Sequence, residues 1–220
     1  MPGEASGCRR TDGQRRAGGG ETHILARWGE GAAGSFGAGA PYGLTKAGRL
    51  PQFQVVTGVS AGALLAPFAC LGPRWDPGLK QAFDGPHADH LLRRRPWLTI
   101  VFRPDLYRGG PRDSLVSRFV APRMIQAADL AAEKGRLLVR GTTDLDNQKP
   151  VIWNMGMIVE HGGRTARKLF IQVLVASASI AGIIPLVLKH VKGDGKPYDE
   201  TQVDGGTTMP SLTSPRRLLR

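Results

Sequence analysis

The stretch FQVVTGVSAGALLAPF, residues 53–68, constrains the fold of this chain more than any other. Its opening, FQVVT, is apolar and β-branched and predicts a strand. The run from Ser60 to about Cys70 is small and apolar and predicts a helix, kinked at Pro67. Between them stands G-V-S-A-G, a serine flanked by Gly58 and Gly62. A serine at such a strand-to-helix junction has the pattern of a nucleophile elbow. The chemistry explains the residue types. A sharp turn pushes the hydroxyl off the end of the sheet, and the glycines remove side chains that would collide at the bend. The helix that follows turns its N-terminal partial positive charge toward the place where an oxyanion would form. The plainer alternative is an ordinary strand-to-helix turn.

The rest of the chain extends this alternation. THILA predicts a short strand, and RWGEGAAGSFGAGAPYG a Gly/Ala-rich loop running into a helix that Pro41 ends or kinks. DPGLKQAF predicts a helix with Asp76 as N-cap and Pro77 in its first position. RDSLVSRFVAPRMIQAADLAAEKG reads as two short helices closed by Gly135. RLLVRGTTDLDNQKPVIWNMGMIV reads as two strands around a turn at DLDNQKP. ARKLFIQVLVASASIAG has helical spacing through Leu169, Phe170, Val173 and Leu174. PLVLKHV and ETQVDGG are short strand candidates. Strands alternating with helices predict an α/β layer fold.

At 220 residues the chain can bury one substantial core. Residues 1–20 are rich in Gly and Arg with little to bury, and predict a disordered basic tail ahead of a domain over 21–220. The net charge of +12 is drawn partly from that tail and from the terminal SPRRLLR. Such a balance favours encounter with anionic surfaces. It does not point to a specific nucleic-acid partner, because LLRRRPW lacks the interleaved aromatics that stack on bases. Two cysteines, Cys8 and Cys70, give no disulfide framework. ASGC ending at Cys8 looks like a lipobox, but the preceding MPGE is polar where an apolar segment is required. No apolar run reaches the roughly 18 residues of a membrane span, so a cytoplasmic or peripheral-membrane location is the default.

A nucleophilic serine needs a base. His23, His87, His90, His161 and His190 are available, and none has a motif around it. His87 and His90 with Asp84 and Asp89 have the residue types of a metal site, but a solvated polar loop explains them, and no metal is expected. One acid stands in a defined setting. VDGG places Asp204 after a short strand and before two glycines. In that turn the carboxylate either hydrogen-bonds its own backbone or acts as base for a serine in a dry pocket. A third element, GEGAAG at Gly29–Gly34, follows the first strand, and its backbone amides suit an oxyanion hole.

A glycine-rich loop, a G-x-S-x-G elbow and a D-G-G turn, in that order, resemble the patatin-like phospholipase family. The similarity extends over FGAG, VVTGVSAGALLAPFA, GTTDLDNQKPVIWNMG, VASASI and VDGGTT, roughly residues 24–210. The resemblance implies a three-layer α/β/α sandwich with a mainly parallel central sheet. It implies a lipid acyl hydrolase with a Ser-Asp dyad, no histidine, no cofactor and an acyl-enzyme intermediate. Ser60 matches the family nucleophile and Asp204 its base. Gly29, Gly31 and Gly34 match the oxyanion loop, with Glu30 in a position where the family carries glycine. The implied partner is a lipid ester, with peripheral contact to anionic membrane.

Four departures qualify the match. Glu30 would strain a positive φ or set a carboxylate against the oxyanion. Arg27 and Trp28 replace small apolar residues ahead of the loop, and a buried Arg27 would be costly. Pro41 interrupts an expected helix, and Ala181 replaces a frequent proline. Family domains also run on past the D-G-G turn, whereas Ser211–Arg220 offers no clear element, so the domain is expected to be incomplete at its C-terminus. These features motivate a second reading, a catalytically impaired relative that binds lipid or a partner.

Overall fold

The computed structural model describes residues 22–27, 34–83, 116–178, 187–193 and 196–209. The Gly29–Gly31 part of the glycine-rich loop lies outside them, as do Trp28, Asp84, His87, Asp89, His90, Ala181 and both tails.

Strand β1 (Ile24–Arg27) is followed by helix α1 (Gly34–Lys46), then β2 (Val55–Gly58), α2 (Ala61–Leu71) and α3 (Asp76–Phe83). After α4 (Pro122–Glu133) come β3 (Leu137–Asp144), β4 (Lys149–Asn154), α5 (Met155–Glu160) and α6 (Gly163–Ser177), and the hairpin of β5 (Val187–Gly193) and β6 (Lys196–Asp204) closes the order. The fold is mixed α/β. At its centre β1, β2 and β3 are parallel, while β4, β6 and β5 join antiparallel.

The strands form where the β-branched runs predict, because Val56, Leu138 and Val139 are buried. Val56 and Leu138 join Leu64, Leu65 and Phe68 of α2, Met124 of α4, Met155 of α5 and Phe170 and Leu174 of α6 in the main core. A smaller cluster, Val59 and Val139 with Leu137 and Met209, lies apart from it. Gly135, at φ 79, closes α4 in the left-handed conformation that glycine adopts without strain.

Three local expectations change. Helix α1 runs through Pro41 to Lys46 rather than ending there, at the loss of one backbone hydrogen bond, and the Thr45 hydroxyl donates to the Pro41 carbonyl at 3.1 Å. Asp76 is the first helical residue of α3, not its N-cap, because a short 3₁₀ turn at Pro73–Trp75 feeds directly into the helix. The second strand of the Arg136–Val159 segment stops at Asn154, whose side chain accepts from the Gly156 and Met157 amides and starts α5. Among the described residues no helix is long and apolar enough to cross a membrane.

Candidate active site

The register of β3 makes the site. One edge of β3 is occupied by β4 along Val139–Asp144. The other edge is shared, with β2 pairing along Leu137–Arg140 and β6 along Thr142–Asp144. Strand β2 runs parallel to β3 and ends at Gly58, opposite Arg140. Strand β6 runs antiparallel and ends at Asp204, opposite Thr142. The two strands therefore approach each other head-on and stop on either side of Gly141. Ser60 follows the end of one and Asp204 is the end of the other, so residues distant in sequence meet at a single gap in the ladder.

Each half is locally enforced. Ser60 has φ 56 and ψ −132, an uncommon backbone conformation for a residue with a side chain, which costs about 1–3 kcal/mol. The surroundings hold it there: its amide donates to the Ser177 carbonyl at 3.0 Å and its carbonyl accepts from the Ala63 amide at 2.9 Å. The bend brings the chain back on itself so tightly that a Cβ on Gly58 would lie 2.6 Å from the Gly62 carbonyl oxygen. The predicted use of glycine at this elbow thus has a steric cause.

In the other half, the Gly206 amide donates to Asp204 Oδ1 at 2.7 Å. The Thr143 hydroxyl donates to the Asp204 carbonyl at 3.0 Å. A Cβ on Gly205 would lie 2.5 Å from the Gly141 carbonyl oxygen, so the turn packs directly on β3. A Cβ on Gly206 would come within 3.9 Å of Val59 Cγ1, which sets the turn against the elbow.

The two side chains meet in a nearly dry site, with Ser60 8% and Asp204 5% exposed. Burial pushes the Asp204 carboxyl above its ordinary 3.8, partly offset by the hydrogen bonds from Ser60 and from the Gly206 amide. The first possibility raised for the aspartate occurs: it accepts from its own turn, and it does so beside the serine.

The glycine-rich loop is only partly in view. Gly34 is the first residue of α1. Arg27 pairs with Gly58, so the chain leaves β1 toward the loop at the Ser60 end of the sheet. His23 lies at the opposite end, bonded to Gln54 at the start of β1, and exposed His161 contacts the Met157 carbonyl at the end of α5. Among the described residues no cluster of three or more His, Cys, Asp or Glu is placed to hold a metal.

Two residues next to the site had no distinguishing signal in their local sequence. Ser177 was visible only as part of VASASI. Arg140 stood unremarked within a strand, yet it is fully buried, and its Nη1 donates to the Val139 carbonyl at 2.6 Å while Nε and Nη2 have no partner among the described residues. Burial pulls its guanidinium down to about 9, well below its ordinary value, opposed by the nearby Cys70 thiol. Burial in turn pushes the Cys70 thiol up, against Arg136 and Arg140.

No match was found among curated proteins. Among solved structures, VipD from Legionella pneumophila superposes with a TM-score of 0.48 at 13% identity, over 87% of this chain and 46% of that one. The chain thus spans about half the length of that protein. The family model described as patatin-like phospholipase matches residues 29–214, most of the 220-residue chain. The chain belongs to the patatin-like phospholipases, a lipid acyl hydrolase family.

Proposed function

We propose that this chain hydrolyses lipid esters, with Ser60 as nucleophile and Asp204 as its general base. The observation that carries the reading is the juxtaposition of Ser60 and Asp204 at one gap in the ladder, in a site almost closed to water, where burial raises the carboxyl and the Ser60 hydroxyl partly offsets it. A desolvated carboxylate is a stronger base than one in water, and the serine proton is the one within its reach.

Asp204 takes the proton from Ser60 as its oxygen attacks the ester carbonyl. The proton passes to the leaving alcohol as the tetrahedral intermediate collapses to an acyl-enzyme. Water then enters, Asp204 accepts its proton, and hydroxide attack releases the fatty acid and returns the proton to Ser60. The Ser60 amide is engaged by the Ser177 carbonyl, so the oxyanion must be held by other amides. We assign that role to the Ala61 and Gly62 amides that open α2 and to the loop carrying Gly29, Glu30, Gly31 and Gly34. The net charge of +12 draws the chain toward anionic lipid surfaces.

The test is hydrolysis of a short-chain nitrophenyl ester and of phospholipid vesicles by wild type, Ser60→Ala and Asp204→Asn. Turnover by wild type that both substitutions abolish supports the reading. Folded wild type with no turnover on either substrate, or turnover that survives Ser60→Ala, overturns it.

A further inference from the structure

Ser177 is the last residue of α6 and is completely buried. Its carbonyl accepts the Ser60 amide at 3.0 Å, and its hydroxyl donates to the Gly141 carbonyl at 2.6 Å. Gly141 is the one β3 residue between the two pairings, after the last register position of β2 and before the first of β6. The same carbonyl forms the floor on which Gly205 packs, with no room for a Cβ between them. A single side chain therefore touches the support of both halves of the site.

We infer that Ser177 is a positioning residue: anchored on Gly141, it presents the carbonyl that holds Ser60 in its strained conformation and fixes the elbow relative to the Asp204 turn. The physical reasons are two. The last carbonyls of a helix have no partner within the helix, so the Ser177 carbonyl is free to accept an amide from outside it. An isolated helix end can shift, and the short hydroxyl bond to the sheet removes that freedom. A displacement of less than an ångström at a nucleophile is enough to slow its attack.

The inference rests on Ser60 being the nucleophile, and the experiment separates the two claims. Wild type, Ser177→Ala, Ser177→Thr and Ile171→Val are compared for the rate of fluorophosphonate labelling at Ser60, for kcat and KM on a nitrophenyl ester, and for melting temperature. Ile171 is buried on the same helix with no hydrogen bond to the site, and reports the effect of lost stability alone.

Ser177→Ala is expected to slow labelling and kcat about tenfold with KM within about twofold. Ser177→Thr, which keeps the hydroxyl, recovers most of that loss, and Ile171→Val lowers the melting temperature at an unchanged labelling rate. If Ser177→Ala does not fold, Ser177→Cys, a weaker donor of similar size, shows the same split to a smaller degree. Ser177→Ala labelling at the wild-type rate, or Ile171→Val slowing labelling as much as Ser177→Ala does, overturns the inference while leaving the nucleophile intact. Wild type that fails to label at Ser60 overturns the nucleophile, and this inference with it.

Discussion

Arg140 and Asp204 sit on either side of Gly141, one opposite the end of β2 and the other opposite Thr142 of β3. Both are ionisable and both are buried, at 0% and 5% exposure. Burial pushes each toward its neutral form, lowering the arginine and raising the aspartate. Their surroundings differ. Asp204 receives the Gly206 amide beside the Ser60 hydroxyl, whereas among the described residues Arg140 has two nitrogens with no partner and one bond to the carbonyl of its own neighbour. The difference teaches how a small α/β core handles charge. A buried carboxylate that keeps a backbone donor has its desolvation partly offset, and burial leaves it more basic than in water. A buried guanidinium left mostly unmet is a cost to folding that the dyad chemistry does not draw on.

The largest expected effect breaks the aspartate side. Asp204→Asn keeps an acceptor for the Gly206 amide but cannot take a proton, and is expected to lower ester hydrolysis by about three orders of magnitude or more, measured as kcat on a nitrophenyl ester. Gly205→Ala attacks the support beneath it. With a backbone oxygen 2.5 Å from the new Cβ, the turn must move, and a loss of about 3 kcal/mol in urea unfolding is expected together with most of the activity.

Arg140→Met tests the other side. An apolar side chain of similar length removes a charge with two donors unmet among the described residues, and a gain of about 2 kcal/mol is expected, read as a higher denaturation midpoint at unchanged slope. The smallest effect is in pH dependence, and it sharpens the contrast. The Asp204 carboxyl is raised in the fold, so its contribution is most favourable below its ordinary 3.8 and is lost as pH rises through the raised value. The melting-temperature advantage of Asp204→Asn over wild type therefore grows from pH 3 upward and then levels. Arg140 at about 9 is protonated in both folded and unfolded chains below that pH, so the gain from Arg140→Met stays flat from pH 5 to 8.

The elbow was the most legible part of the sequence, because its constraints are local. A β-branched strand, two glycines and a small-residue helix within eighteen positions leave few ways to arrange the serine between them, and the collision at Gly58 shows why. Asp204 was legible only in combination. Its turn looks like many Asx turns, and it became a candidate base through its order after the other two motifs. The meeting of β2 and β6 at Gly141 could not be read, since it depends on a register shared by three strands. Arg140 was missed for the same reason: a charged residue within a strand gives no sign of which way its side chain points. Arg27 was the arginine expected to be costly; its side chain lies outside what the structure describes, and Arg140, which drew no expectation, is fully buried. Ser177 carries two non-local hydrogen bonds from a helix end, and helical periodicity is silent about both. The α5 start at Asn154 was readable in principle, as an N-cap residue before MGMIVE, but the β-branched run ahead of it dominated.

The central claim is that the Ser60 hydroxyl is activated by its pairing with Asp204 in an assembled pocket. Fluorophosphonate treatment of the folded protein, followed by peptide mass mapping, tests it most directly. The account predicts one phosphonyl adduct, on the peptide carrying Ser60, absent after heat denaturation and strongly reduced in Asp204→Asn. An unmodified Ser60 in folded wild type, or an adduct that forms equally fast in Asp204→Asn, would contradict it.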